Sequence, residues 1–210
     1  QDAGDDEKPR HKPFKDYQPG YVHIDIKHLP QMPDEEQKRY LYVAIDRATR
    51  WVYLEVRRSQ SAQDARAFMK QVENRAPFKI QTVLTDNGKS FTDRFTRAGE
   101  RNPSGRHPFD QECLAHGIEH RLTRPNHPWT NGQVERMNRT IKEATVKRYH
   151  YDNHDQLKQH LDDFIDAYNY GRRLKTLKGL TPYEFICKCW TKEPDKFNLD
   201  PIHQMPGLNS

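Results

Sequence analysis

Tyr21-Val22-His23-Ile24-Asp25-Ile26 is the stretch on which the fold turns. It is apolar and β-branched enough for a buried strand, yet a carboxylate interrupts it. Two more strand-like runs follow, at 40–46 and 51–57, and the turn Arg47-Ala48-Thr49-Arg50 joins them as a hairpin. Pro30, Pro33 and the acidic run Asp34-Glu35-Glu36 form the loop between the first two runs. Ser61 then offers an N-cap, and Ala65, Phe68, Met69 and Val72 recur at helical spacing, which predicts a helix over 61–74. A fourth strand is expected from Ile80 to Asp86, a short helix over 109–116 and a fifth strand over 118–123. Pro125 and Pro128 bound a loop, and there is no internal repeat.

The next helix, expected over 132–149, carries Val134, Met137, Ile141 and Ala144 as one apolar stripe. At about 100° per residue, Glu135, Arg139 and Lys142 cluster on the opposite face. Read structurally, that face is solvated, with a Glu135–Arg139 ion pair one turn apart. Leu157, Leu161, Phe164, Ile165 and Tyr168 mark a further amphipathic helix. Thr181-Pro182-Tyr183-Glu184 is a helix start with cap, proline at the first position and glutamate at the third. The order βββαβαβααα describes an α/β fold, a five-stranded mixed sheet flanked by helices.

Residues 1–19 are charged and proline-punctuated and read as a flexible linker; 20–190 is the core; 191–210, with Pro194, Pro201 and Pro206, reads as a loosely structured C-terminal tail. The chain begins with Gln1, as a fragment of something longer would. Lys plus Arg number 35 against 30 Asp plus Glu, an excess that permits nucleic-acid binding without establishing it. Cys113, Cys187 and Cys189 are odd in number and wrongly spaced for a disulfide framework or a CxxC knuckle, so they read as reduced packing residues of a cytosolic protein. No apolar run approaches the roughly 18 residues of a membrane span.

Asp25, Asp86 and Glu135 are hard to explain structurally. Asp86 ends Thr82-Val83-Leu84-Thr85 and is followed at once by Asn87-Gly88, and Glu135 opens a helix just after Thr130-Asn131-Gly132. Three carboxylates at the ends of separate elements, in a basic chain, suggest a divalent-metal site that works on phosphodiesters. Asp46 also ends a strand, but at a hairpin corner it reads as a turn carboxylate.

Three ordered motifs carry a resemblance. They are His23-Ile24-Asp25, Thr85-Asp86-Asn87-Gly88-Lys89-Ser90-Phe91, and the segment Pro125-Asn126-His127-Pro128-Trp129-Thr130-Asn131-Gly132-Gln133-Val134-Glu135-Arg136-Met137-Asn138, with Leu180-Thr181-Pro182-Tyr183-Glu184 after them. Over about 21–186 the chain resembles the catalytic core of retroviral integrases and of DDE-type insertion-sequence transposases, which share the ribonuclease-H-like fold. The resemblance implies that Asp25, Asp86 and Glu135 are the catalytic triad and bind two Mg²⁺ or Mn²⁺ ions. Carboxylates are the hard oxygen ligands these ions take. It implies cleavage at element ends and transfer of the 3′-OH into target DNA, with no ATP; the chain also lacks a P-loop. It implies DNA contacts from Asn87, Lys89, Asn131, Gln133, Asn138, Arg139 and Lys142. It further implies a homodimer or higher assembly on DNA, a bacterial cytoplasmic setting, and an upstream DNA-recognition domain that these residues do not contain. A catalytically inactive DNA-binding or assembly module, and a ribonuclease-H-like nuclease that cleaves without joining, are the competing readings. Trp129 either stacks on a base or anchors its loop, and the basic loop Gly171-Arg172-Arg173-Leu174-Lys175 binds phosphate or nothing.

Residues 87–134 separate Asp86 from Glu135, a wider gap than in retroviral integrases, and the excess falls around 96–107. Arg97, Arg101 and Arg106 in that insertion either contact DNA phosphates or are merely solvated. If they contact phosphates, neutralising all three flattens the salt dependence of DNA binding, read as the slope of log affinity against log salt. An unchanged slope leaves the insertion a solvated loop.

Overall fold

The first strand, β1 (Tyr21–His28), forms as expected and lies in the middle of the sheet. The computed structural model describes residues 17–33, 36–124 and 132–204. β1 pairs antiparallel with β2 (Tyr40–Asp46), which pairs antiparallel with β3 (Val52–Arg57). Helix α1 (Ala62–Arg75) then crosses over to β4 (Thr82–Thr85), which lies parallel to β1 on its other side. Helix α2 (Pro108–Ala115) leads to β7 (Glu119–Leu122), parallel to β4. The sheet order is β3-β2-β1-β4-β7, the five-stranded mixed sheet expected from the sequence. Helices α3 (Gly132–Ala144), α4 (His154–Gly171) and α5 (Pro182–Lys192) follow.

Strand alternation sorts the core into two layers. Val22, Ile24, Tyr42, Ala44 and Val83 face α1, α2 and α5, where Phe68, Phe109 and Ile186 are fully buried. Leu41, Val43, Ile45 and Leu54 face α3 and α4 and meet Met137, Ile141, Leu157 and Leu161. His23, Asp25 and Lys27 stand opposite Ile45, Val43 and Leu41, so they share the α3/α4 face.

The caps are as expected. Ser61 accepts from the Asp64 N–H, and Thr181 and Glu184 form a complete capping box. Asp46 proves to be a turn carboxylate. Its Oδ2 accepts from the backbone N–H and hydroxyl of Thr49, both at 2.7 Å, and its Oδ1 from the Gly20 N–H at 2.8 Å. Burial nevertheless pushes its carboxyl up to about 6. The cysteines are free, and burial drives the Cys113 thiol up to about 12, as suits a packing residue.

Three expectations need correction. Helix α3 stops at Ala144 rather than 149: the Lys147 N–H reaches back five residues to the Lys142 carbonyl and the Arg148 N–H only three to the Thr145 carbonyl, so the regular four-residue ladder gives way to turns. The insertion after Asp86 is not plain loop. Phe95–Thr96 (β5) and Gly99–Glu100 (β6) form a small hairpin, tied down by Arg94–Glu100 and Arg101–Asp93 ion pairs. The C-terminal segment is not loose over its described residues. Phe197 is buried and bridges to Phe78, and the Lys196 carbonyl accepts from the Lys79 N–H at 2.9 Å. Prolines at 194 and 201 open short 3₁₀ turns instead of breaking contact. Of the expected linker, residues 1–16 lie outside the described residues. Truncating Phe197 to Ala should cost about 3 kcal/mol in urea unfolding, the usual cost of emptying a buried aromatic site; a loose tail would leave the midpoint unmoved.

Candidate functional site

The β1–β4 register brings Asp25 and Asp86 together. Tyr21 pairs with Thr82, Val22 with Val83 and His23 with Leu84; two residues further on, the same step sets Asp25 beside Asp86. Neighbouring strands lie about 4.8 Å apart, so two carboxylates meet at the carboxyl end of a parallel pair. Asp25 is buried, and the desolvation raises its carboxyl above the usual carboxylate range. Lys27 opposes that shift, its Nζ 3.1 Å from Asp25 Oδ2, while the charge of Asp86 adds to it.

Asp86 is fixed by its own turn. Its Oδ1 accepts from the Gly88 N–H at 2.8 Å, and a Cβ on residue 88 would sit 2.8 Å from that same oxygen. A side chain at 88 would therefore push the Asp86 carboxylate out of this position. The Asn87 side chain donates to the Thr123 carbonyl at 2.8 Å and accepts from Arg94, tying the end of β4 to the end of β7. Beneath the turn, buried Thr85 shares a 2.8 Å hydrogen bond with His120, which in turn meets Asp110. Lys89 is exposed.

Helix α3 reaches this point through Asn138. Its Nδ2 donates to Asp25 Oδ2 at 2.7 Å; its Oδ1 is buried and finds no hydrogen-bond partner. Glu135 lies three residues earlier, one turn along the helix toward its N-terminus, and is exposed like Arg139. Lys142 and Gln133 are half-buried. Among the described residues, no ion pair joins Glu135 to Arg139. Asn131 and Trp129 lie outside the described residues.

The three carboxylates therefore gather unequally. Asp25 and Asp86 are neighbours, and Glu135 stands one helical turn from the residue bonded to Asp25, turned to solvent. Among the described residues, the one group of acids and histidines whose ligand atoms all lie within 4.8 Å is elsewhere: Glu73, Glu112 and His116. A cleft of about 760 Å³, lined by Trp51, Tyr53 and Asn169 among others, also opens away from the carboxylates.

Two features escaped the sequence reading. Lys27 had a signal, because residues 25 and 27 necessarily share a strand face. The group around Glu112 had none, since it joins two helices far apart in the chain. Replacing Asn138 by Ala should lower the stability of the metal-free protein by roughly 1.5–3 kcal/mol, the worth of a hydrogen bond to a charged group. A side chain that served only to reach DNA would leave urea unfolding unchanged.

Residues 16–128 match the integrase core domain family, and residues 116–182 match a second integrase core domain description. The chain is 36% identical over 107 residues to the retrovirus-related Pol polyprotein from transposon TNT 1-94 of Nicotiana tabacum, covering 50% of this chain and 7% of the polyprotein. It is 25% identical over 184 residues to the putative integrase ORF3 of Spiroplasma virus SpV1-C74, covering 85% of this chain and 51% of that protein. The chain thus spans about half of one relative's length and 7% of the other's. The catalytic core domain of BIV integrase superposes with a TM-score of 0.61 at 20% identity, over 83% of this chain and 98% of that one. At that identity the likeness speaks for the fold, and the β3-β2-β1-β4-β7 sheet with its flanking helices is the ribonuclease-H-like arrangement of the integrase cores. Since the first match runs over more than half of the chain and takes in both neighbouring aspartates, this chain belongs to the integrase core domain family.

Proposed function

We propose that the domain is the catalytic core of a DNA transposase that cuts a strand at an element's end and joins the freed 3′-OH to target DNA. The observation that carries this reading is the juxtaposition of Asp25 and Asp86 just past the paired stretch of parallel strands β1 and β4, beneath a helix that sets Glu135 one turn from the amide bonded to Asp25. Acids at this end of an open parallel sheet lie where loops gather substrate.

The donor set fits hard divalent cations. All three groups are carboxylates, and the buried, unpartnered Asn138 Oδ1 adds a hard oxygen beside Asp25. Asp25, Asp86 and Glu135 would hold two Mg²⁺ or Mn²⁺ ions, which supply Lewis-acid stabilisation of the charge that builds on the phosphate. For Glu135 this requires its exposed side chain to turn inward over one helical turn.

The chain's own groups prepare the site. Asn138 orients the Asp25 carboxylate, the Gly88 N–H orients Asp86, and Lys27 neutralises Asp25 until cations arrive. Once released, the Lys27 ammonium is placed to meet a DNA phosphate. Lys89, Arg139 and Lys142 are proposed DNA contacts, as is Gln133, which lines clefts beside Arg50 and Thr176, and Asn87 holds the turn after Asp86. In the first step water attacks phosphorus and the bond to O3′ breaks, leaving a 3′-OH and a 5′-phosphate. In the second, that 3′-OH attacks a target phosphodiester in line and the target's O3′ departs with the proton. One site serves both because only the nucleophile changes, and no covalent protein intermediate is formed. Two ends must be joined together, so the working form is a homodimer or larger assembly on DNA.

The test incubates the protein with labelled element-end DNA, a target plasmid and Mg²⁺ or Mn²⁺. Joined products, abolished in Asp86→Asn, are expected. Cleavage without joining assigns a nuclease, and DNA binding without chemistry, unchanged in Asp86→Asn, assigns an inactive assembly module.

A further inference from the structure

Away from the paired aspartates, the last turn of α1 meets the end of α2 through Glu73, Glu112 and His116. His116 Nδ1 lies 3.0 Å from Glu73 Oε2 and 3.5 Å from Glu112 Oε1. The ligand atoms of all three residues lie within 4.8 Å of one another. Glu112 comes from the buried face of α2, its side chain only 2% exposed. One of its oxygens is satisfied: Oε2 accepts from Arg66 Nε at 2.7 Å, with Lys70 further off at 3.8 Å. The other is not. Glu112 Oε1 is buried without a hydrogen-bond partner, and so is Glu73 Oε1.

Leaving a buried carboxylate oxygen unpaired is costly, and each such atom in a native fold calls for a ligand. Both residues, with His116, Lys70 and Asn74, line a pocket of about 240 Å³, ample for an ion and its water.

We propose that Glu73, Glu112 and His116 form a transition-metal site, best suited to Zn²⁺, separate from the Asp25–Asp86 pair. Two carboxylate oxygens and one imidazole nitrogen make a three-ligand set, with the pocket supplying a fourth, open position for water. The imidazole selects against Mg²⁺ and in favour of Zn²⁺ and its neighbours in the first transition row. Arg66 plays the part that outer hydrogen bonds play at such centres: it holds Oε2 and so presents Oε1 to the ion. The ligand oxygens of Glu73 and Glu112 lie within 4.8 Å of each other, a close approach of two carboxylates that a bound cation stabilises. The ion would clamp the end of α2 onto α1, and α2 leads directly into β7 at the sheet edge.

His116 and Glu73 are the residues to change, since both side chains are partly exposed and truncation leaves the core intact; Glu112 is too buried for a clean test. Titrate metal-free wild type, His116→Gln, Glu73→Gln and Asp86→Asn with Zn²⁺ by calorimetry, and follow the thermal midpoint alongside. Wild type is expected to bind one more equivalent of Zn²⁺ than His116→Gln or Glu73→Gln, and Asp86→Asn to keep the equivalent and the Zn²⁺-dependent rise in midpoint that those two variants lose. The Co²⁺-loaded protein should show visible ligand-field bands without thiolate charge transfer, bands that His116→Gln lacks. Matching midpoints in chelator establish that the variants fold. Equal stoichiometry and equal midpoint shifts across all four proteins, or the absence of any Zn²⁺ effect on wild type, would overturn the proposal.

Discussion

The whole arrangement depends on the register in which β1 lies against β4. β1 is hydrogen-bonded on both sides, antiparallel to β2 and parallel to β4, and each of its residues is committed to one face of the sheet. A slip of one residue would turn Asp25 into the packed layer under α1 and put Ile24 where α3 descends. In the observed register Val22 and Ile24 fill one core, and His23, Asp25 and Lys27 share the other face with Leu41, Val43 and Ile45. The same register aligns Asp25 with Asp86. Packing on one face and chemistry on the other are thus set by one ladder of backbone hydrogen bonds.

Two buried aspartates illustrate how environment separates a structural acid from a working one. Asp46 is wholly buried and saturated: Thr49 of its own turn and the Gly20 N–H ahead of β1 supply donors to both oxygens, and no long, exposed side chain is involved. Asp25 is nearly as buried but holds partners of another kind. Its Oδ1 accepts from the adjacent Ile26 N–H at 3.0 Å, while its Oδ2 is held by the amide of Asn138 on a helix and by the half-exposed ammonium of Lys27, whose long stem swings away at little cost. A second carboxylate stands next to it. Such a group exchanges a movable cation partner for a bound ion, whereas Asp46, held by backbone and turn donors, does not. The pattern of partners, more than burial itself, distinguishes the two.

Much of this was legible from residue order alone. The three opening strands, the Ser61 and Thr181 caps, and the apolar stripes of α3 and α4 follow from periodicity and capping chemistry, and all appear. Element ends were less readable. α3 stops early where the Lys147 and Arg148 N–H groups leave the four-residue hydrogen-bond ladder, a local change that an apolar stripe does not register. Phe197 packs on Phe78 across more than half of the chain, which no window of sequence reveals. The hairpin in the insertion rests on Arg94–Glu100 and Arg101–Asp93 pairs, whose partners are recognisable only once the turn exists. At the site, the face of Glu135 followed from helical phase. That Asn138 turns inward to Asp25 did not, because its polar character suggested the surface, while its position between Val134 and Ile141 placed it in the buried stripe. Glu73, Glu112 and His116 meet through tertiary packing of two helices, and spacing gives no hint of them.

The central claim is that Asp25, Asp86 and Glu135 act together on cations. Its most direct test is a crystal structure of the protein with Mn²⁺ and element-end DNA, in which anomalous scattering locates the ions. The account predicts Mn²⁺ between Asp25 and Asp86, Glu135 turned inward to complete the ligand set, and Lys27 moved off Asp25 toward a phosphate. Mn²⁺ bound with DNA in place while Glu135 still faces solvent, or no ion between the two aspartates, would contradict it.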